Sequence, residues 1–329
     1  MDWTLYPIDK FDAHREQWDR LNQTSFNAPT LNSAFISPSL KYFSTGKEKL
    51  ALYGDPANPS AAAIIQKNKF GSWSTFQPSQ NPLGAWLQDQ TLDFTTITEK
   101  LIQRIPGICL VFGVTQQDPS LQERPQPNKT INTIDYIQTA RIALDGNFDD
   151  YWSKRGKNLR QNLRRQGNRL ERENTQVTLK CLIKVEEVIS AVEAYGTLES
   201  AGWKNDSGTA IGIHNDQGRF YTDMLENFCA KDQGRIYQYW YNERLVATDL
   251  CITGGDAIII LKTTYDETIK TSSPAMLMRK DSFESLFSEP DLKLIEFYGE
   301  VMDWHTKWSA DIRTMHHANI YRHKLLRLI

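Results

Sequence analysis

Apolar positions along the chain switch between a spacing of two and a spacing of three to four, and the switches mark the elements. Residues 3–8 alternate as a short strand. Residues 11–21 carry a helical pattern, and Ser37-Pro38 reads as the cap and first turn of a helix running through Tyr42 and Phe43. Strand-like runs follow at 50–53, 61–66 and 72–76. A helical stretch at 97–105 leads to a buried strand at 108–114. Residues 118–129 are Pro-rich and polar and read as an exposed loop, and 131–144 alternate as a strand.

The second half has the clearer grammar. Leu159, Leu163 and Leu170 form a thin apolar stripe at helical spacing inside residues 151–173, which read as one amphipathic helix. A strand at 177–183 precedes two helices, one marked by Val185, Val188, Val192 and Tyr195, the other by Phe220, Met224, Leu225 and Phe228. Strands at 235–241, 244–253 and 256–263, joined by turns at Asn242-Glu243 and Gly254-Gly255, make an antiparallel meander. A polar loop at 264–273 leads into a helix opened by Ser273-Pro274. Further strands are expected at 292–297 and 312–321. A helix between the strands at 256–263 and 292–297 allows these two to lie side by side in parallel, through a right-handed crossover. Its N-terminus then stands beside strand ends that part, where free N–H groups suit a phosphate.

Composition adds scale. The 329 residues carry a prior of two domains. With 40% hydrophobic and 24% charged residues the chain is globular rather than disordered. The formal net charge of −2 excludes a polycation, yet residues 151–173 alone net +6. The N-terminus is charged from Asp2 onward and has no apolar signal region, and no apolar run approaches a spanning length; no membrane insertion is expected. Cys109, Cys181, Cys229 and Cys251 are widely spaced without CxxC, so reduced thiols in a cytoplasmic protein are expected, with no metal. The sequence lacks GxxxxGK[ST], GxGxxG after a strand, GxSxG and HExxH, which removes the usual signals of nucleotide hydrolysis, dinucleotide redox chemistry, α/β-hydrolase action and zincin proteolysis.

Four words in order resemble one family. They are RGKNLRQNLRRQGNRLERE (155–173), ESAGWKNDSGTAI (199–211), LKTTYDETIKTSSPAMLM (261–278) and IEFYGEVMDWHTKW (295–308). They are similar to the motifs of GNAT-superfamily acyltransferases, in the branch of the CelD-like and FemAB-like proteins with a BioF2-like acetyltransferase domain. NSAFISPSLKYF in the first half extends the likeness more weakly. The resemblance implies an α+β (mixed α/β) fold of two tandem GNAT-like halves. Each half is a twisted mixed sheet flanked by helices. The first, residues 1–145, is degenerate; the second, 146–329, carries the acyltransferase. It also implies acetyl-CoA or another acyl-CoA as co-substrate, and an amine or hydroxyl acceptor on a sugar, amino-sugar or bacterial cell-envelope precursor. In this chain Ala275 stands for the family's glycine after Ser-Pro, Glu296 for the aspartate opening the last word, and His305 for its lysine, a role left to Lys307. These departures motivate an alternative, a non-catalytic scaffold in polysaccharide biosynthesis. The FemAB-like relatives add aminoacyl-tRNA as an alternative donor.

Direct acyl transfer needs an anion cradle, a base for the acceptor and a proton for the leaving thiolate. The cradle candidates are Lys270, Ser272, Ser273, Ala275 and Met276; the same residues also suit an ordinary capped helix. The base candidates are Glu300, Asp303 and His305, three titratable groups that equally suit a polar surface loop. Tyr265 follows a central strand and is the candidate proton donor, or a rim tyrosine. Trp203 and Lys204 are candidates for stacking and charge on an acceptor, or Trp203 anchors its loop. Arg160 and Arg164 on the basic helix are candidates for an anionic ligand, for tRNA, or for a plain solvated face. His316, His317 and His323 read as structural.

Overall fold

The computed structural model describes residues 1–200, 211, 212 and 214–328. In chain order the first half runs β1 (Trp3–Pro7), a 3-10 segment Ile8–His14, α1 (Arg15–Ser25), α2 (Ser33–Phe43), β2 (Lys49–Asp55), β3 (Asn58–Lys69), β4 (Gly71–Thr75), β5 (Trp86–Gln88), α3 (Phe94–Arg104), β6 (Cys109–Gln117) and β7 (Ile131–Ala143). The second runs α4 (Phe148–Ser153), α5 (Lys157–Arg172), β8 (Val177–Leu182), α6 (Val185–Ser200), α7 (Asp216–Cys229), β9 (Gly234–Tyr241), β10 (Arg244–Gly254), β11 (Ala257–Tyr265), α8 (Pro274–Leu286), β12 (Leu294–Glu296), α9 (Asp303–Trp308) and β13 (Ile312–Tyr321). This is a mixed α/β chain in which helices flank mixed sheet.

The chain forms two compact units, Met1–Thr139 with Arg313–Ile329, and Ala140–Ile312. In the first, β1, β2, β3 and β4 pair antiparallel in turn, β4 pairs with β6 in parallel, and β6 pairs antiparallel with β13. In the second, β8, β9, β10 and β11 pair antiparallel in turn, β11 pairs with β12 in parallel, and β12 pairs antiparallel with β7. The two orders repeat: strand, two helices, three-strand meander, crossover helix, parallel strand. In each unit the parallel strand is paired on its other side by the strand that closes the other half of the sequence.

Each unit has its own core. Trp86, fully buried, packs its ring among Trp3, Phe94 and Phe112 in the first. There Asp118 accepts a bidentate pair from Arg313 at 2.6–3.0 Å, so the loop expected to be exposed carries a buried carboxylate that ties down β13. The second core joins Leu163, Tyr239, Phe283, Phe297 and Trp308.

Several boundaries differ from the sequence reading, each for a local reason. α2 starts at Ser33, because Asn32 accepts the Ala34 N–H; Ser37 caps nothing and Pro38 lies inside the helix at the cost of one backbone bond. The basic stretch is two helices, α4 and α5, parted at Gly156, whose extended backbone caps α5. The meander turn sits at Gly255-Asp256, one residue later than read, with Gly255 at φ 60°. α1 begins only after the 3-10 segment at Ile8–His14.

Candidate functional site

β11 is the element that opens the site. Its pairing with β12 covers only Ala257, Ile258 and Ile259, yet the strand runs on to Tyr265. β12 ends at Glu296, the partner of Ile259, so β11 runs on without it, and α8 starts beside that free stretch. The parallel β11–β12 pair with α8 as crossover is the arrangement expected from sequence.

A cavity of about 780 Å³ fills this place. Its wall comes from the end of β11 (Thr263, Thr264, Tyr265), the following loop and first turn of α8 (Lys270, Ser272, Ser273, Ala275, Met276), and Met302 and Trp304 around the start of α9. Two carboxylates, Glu199 of α6 and Glu267, line it as well, and so does Arg279 of α8.

Six of the sequence candidates therefore meet in one cavity: Tyr265, Lys270, Ser272, Ser273, Ala275 and Met276. Tyr265 is 44% exposed, at the rim. Lys270 is exposed. The Ser272 hydroxyl and Tyr241 OH are 3.0 Å apart. The Ser273 N–H donates to Gln166 Oε1 of α5 at 2.8 Å, and the Met276 and Leu277 N–H groups turn back to the Ser273 carbonyl. Pro274 has no N–H. The first-turn donor left for a ligand is thus the Ala275 N–H, and Ala275 both lines the cavity and belongs to the core cluster. The exposed Lys270 ammonium, the Ser273 hydroxyl and this helix end fit an anionic group.

The base candidates are placed differently. Glu300 and Asp303 are exposed and do not line the cavity. His305 is 5% exposed, lies flat on Trp304 at 3.4 Å between ring centres, and accepts the Met302 N–H on Nδ1 at 2.9 Å. Burial, helped by the nearby Arg279 charge, pulls its pKa down to about 4. His305 is therefore neutral near pH 7, with one nitrogen spent on capping α9.

Lys307 lines a smaller cavity of about 460 Å³ that shares Ser273 and Met276 with the first. Arg160 and Arg164 line a third cavity of about 910 Å³, between α5, β8 and α8, that shares no lining residue with the first. Arg160 Nε is held by the Arg155 carbonyl at 3.1 Å, and Arg164 is exposed. Arg155 lies over the Tyr151 ring at 4.4 Å and donates to the Trp308 carbonyl, so this charge is structural. Trp203 and Lys204 lie outside the described residues. No group of three or more His, Cys, Asp or Glu side chains suited to a metal occurs among the described residues. No helix there is long and apolar enough to cross a membrane.

Sequence reasoning passed over the most unusual group in the site. Arg279 is 3% exposed, with its guanidinium 4.0 Å from the Trp304 ring centre and Nη2 donating to Thr263 Oγ1 at 3.0 Å. Thr263 stands opposite Asp249 of β10, itself 2% exposed. Burial pushes the Asp249 carboxyl up, while Arg279 and the Thr263 hydroxyl pull against it. Burial lowers Arg279 and Asp249 opposes that. The available signal was a charged residue on the inward stripe of α8, directly after Leu277 and Met278.

Residues 157–306 match the family described as Acetyltransferase (GNAT) domain. No curated protein matches the chain by sequence. Among solved structures, FemX is similar at 9% identity and a TM-score of 0.61, with 96% of this chain and 98% of FemX covered. L-PGS from Bacillus licheniformis is similar at 16% identity and a TM-score of 0.51, covering 93% and 97%. A tandem GNAT protein from the clavulanic acid biosynthesis pathway, solved without AcCoA, is similar at 11% identity and a TM-score of 0.50, covering 96% and 98%. At these identities the likeness is one of fold, and it spans both halves of the chain.

Proposed function

We propose, for this chain whose residues 157–306 match the Acetyltransferase (GNAT) domain family, direct acyl transfer from an acyl thioester, acetyl-CoA or a related acyl-CoA, to an amine or hydroxyl acceptor. The observation that carries this reading is the end of β12 at Glu296 opposite Ile259, with β11 running on to Tyr265 and the first turn of α8 lining the cavity there. The thioester supplies an activated acyl carbon. The chain's own residues supply the rest. Lys270, Ser273 and the Ala275 N–H hold the anionic part of the donor. Glu199 lines the cavity with Oε2 accepting the Ile211 N–H at 2.7 Å, and it takes the proton that leaves the acceptor. Tyr265 at the rim returns a proton to the departing sulfur. One C–S bond breaks, one C–N or C–O bond forms, and one proton is lost and one gained.

Acceptors on sugars, amino-sugars or cell-envelope precursors follow from the resemblance of the four sequence words. Calorimetric titration with acetyl-CoA tests the donor: binding is expected, and none at millimolar ligand overturns the acyl-CoA reading. Product mass shifts on a panel of amino-sugars then test the acceptor.

A second reading, an aminoacyl-tRNA donor, draws on α5. That helix presents Lys157, Arg164, Arg165, Arg169 and Arg172 on one element beside the 910 Å³ cavity. Activity abolished by ribonuclease, with binding that weakens steeply as salt rises, selects it. Binding of acetyl-CoA without turnover on any acceptor selects the scaffold reading instead.

A further inference from the structure

Arg279 is a buried cation whose needs the protein meets only in part. Nη2 has Thr263, and one face has Trp304. Nε has no hydrogen-bond partner, and no carboxylate is in ion-pair contact with the guanidinium among the described residues. Asp249 answers it across the Thr263 hydroxyl rather than directly, and Asp249 Oδ1 is likewise without a partner. Such an arrangement is costly in a low-dielectric interior unless a further group completes it. Arg279 lines the 780 Å³ cavity.

The same cavity holds the opposite charge. Glu199 and Glu267 line it, Glu199 being 3% exposed. One cavity thus offers a buried guanidinium and a buried carboxylate, a pairing that suits a molecule carrying both an amine and a carboxylate.

We propose that the acceptor is an amino acid or an amino-acid-like amine, its carboxylate held by Arg279 and its amine turned to Glu199. This deepens the acyl-transfer reading and rests on it for the word acceptor. The carboxylate contact itself does not depend on turnover. Trp304, stacked on Arg279, keeps the guanidinium plane in position. Thr263 fixes the Nη2 end.

The test is calorimetric titration of the full chain with L-alanine, L-serine and L-glutamate, each against its α-amide, which lacks the α-carboxylate. The wild type is expected to bind at least one amino acid about tenfold more tightly than its amide. Arg279→Met is expected to bind both alike, and Arg279→Lys to restore part of the preference. Equal binding of acid and amide by the wild type, or binding of none, overturns the proposal, and these arms need no variant to fold. Succinyl-CoA and acetyl-CoA are titrated alongside. A succinyl-CoA preference that Arg279→Met abolishes assigns the carboxylate to the donor and overturns the acceptor assignment. Amino-acid preference without any acyl-CoA binding leaves the subsite standing and removes the donor reading.

Discussion

Thr263 and Asp249 occupy the same register position on neighbouring strands, and the Thr263 hydroxyl is also the acceptor for Arg279 Nη2. A single side chain therefore links a buried acid to a buried base. Thr263→Val keeps the β-branched shape and removes the link. A loss of about 1–3 kcal/mol in stability is expected, because two buried groups lose a partner. Urea unfolding measures it, and a change within a few tenths of a kcal/mol would show the hydroxyl to be idle.

His305 and His316 set an acid limit. Both are pulled down to about 4, from 6.5, chiefly by burial. The unfolded chain takes up these protons first, so the contribution to stability is complete above pH 6.5 and is lost as pH falls toward 4. The thermal midpoint is expected to drop over that window, and less in a variant with His316→Asn and His305→Gln. An unchanged slope in that variant would assign the drop to other groups.

Gly196 lets α6 approach Ile211. A Cβ there would lie 2.3 Å from the Ile211 carbonyl oxygen, a backbone atom with little room to yield. Gly196→Ala is expected to cost about 1–3 kcal/mol and to disturb the Glu199 bond to the Ile211 N–H. Chemical denaturation reads the first effect and turnover the second. Wild-type values for both would contradict this account of the contact.

Leu163 anchors the basic helix, buried on its inner face beside Leu159 and Leu170. Leu163→Ala is expected to destabilise by about 2–5 kcal/mol, and the exposed Arg164→Ala by no more than about 0.5 kcal/mol. If Arg164→Ala instead weakens ligand binding at unchanged stability, α5 contributes to recognition as the sequence reading expects.

Legibility followed the range of the forces involved. The α5 stripe, the β9–β10–β11 meander and the crossover at α8 were readable because each rests on periodicity and turn chemistry within a few residues. The start of α2 was not, because Ser37-Pro38 imitates a cap that Asn32 provides five residues earlier. The loop to α8 was readable as a candidate anion cradle, and its five candidates line one cavity. His305 was chosen for its ordinary pKa, but burial, helped by the Arg279 charge, lowers it, and its Nδ1 accepts the Met302 N–H. Arg160 and Arg164 share a helix with the site's neighbours but face another cavity, which no linear spacing reveals.

The alternation of elements, the parallel crossover and the words that resemble the superfamily depend on local pattern, and reading along the chain was enough to find them. Which half each closing strand completes is set by the folded chain: β7 pairs with β12 and β13 with β6, a choice between distant partners of similar pattern. The fold also joins buried Arg279 and buried Asp249 through the half-buried Thr263. Their positions are far apart in sequence, and their energies come from shared burial, a property no residue has until the fold removes it from water.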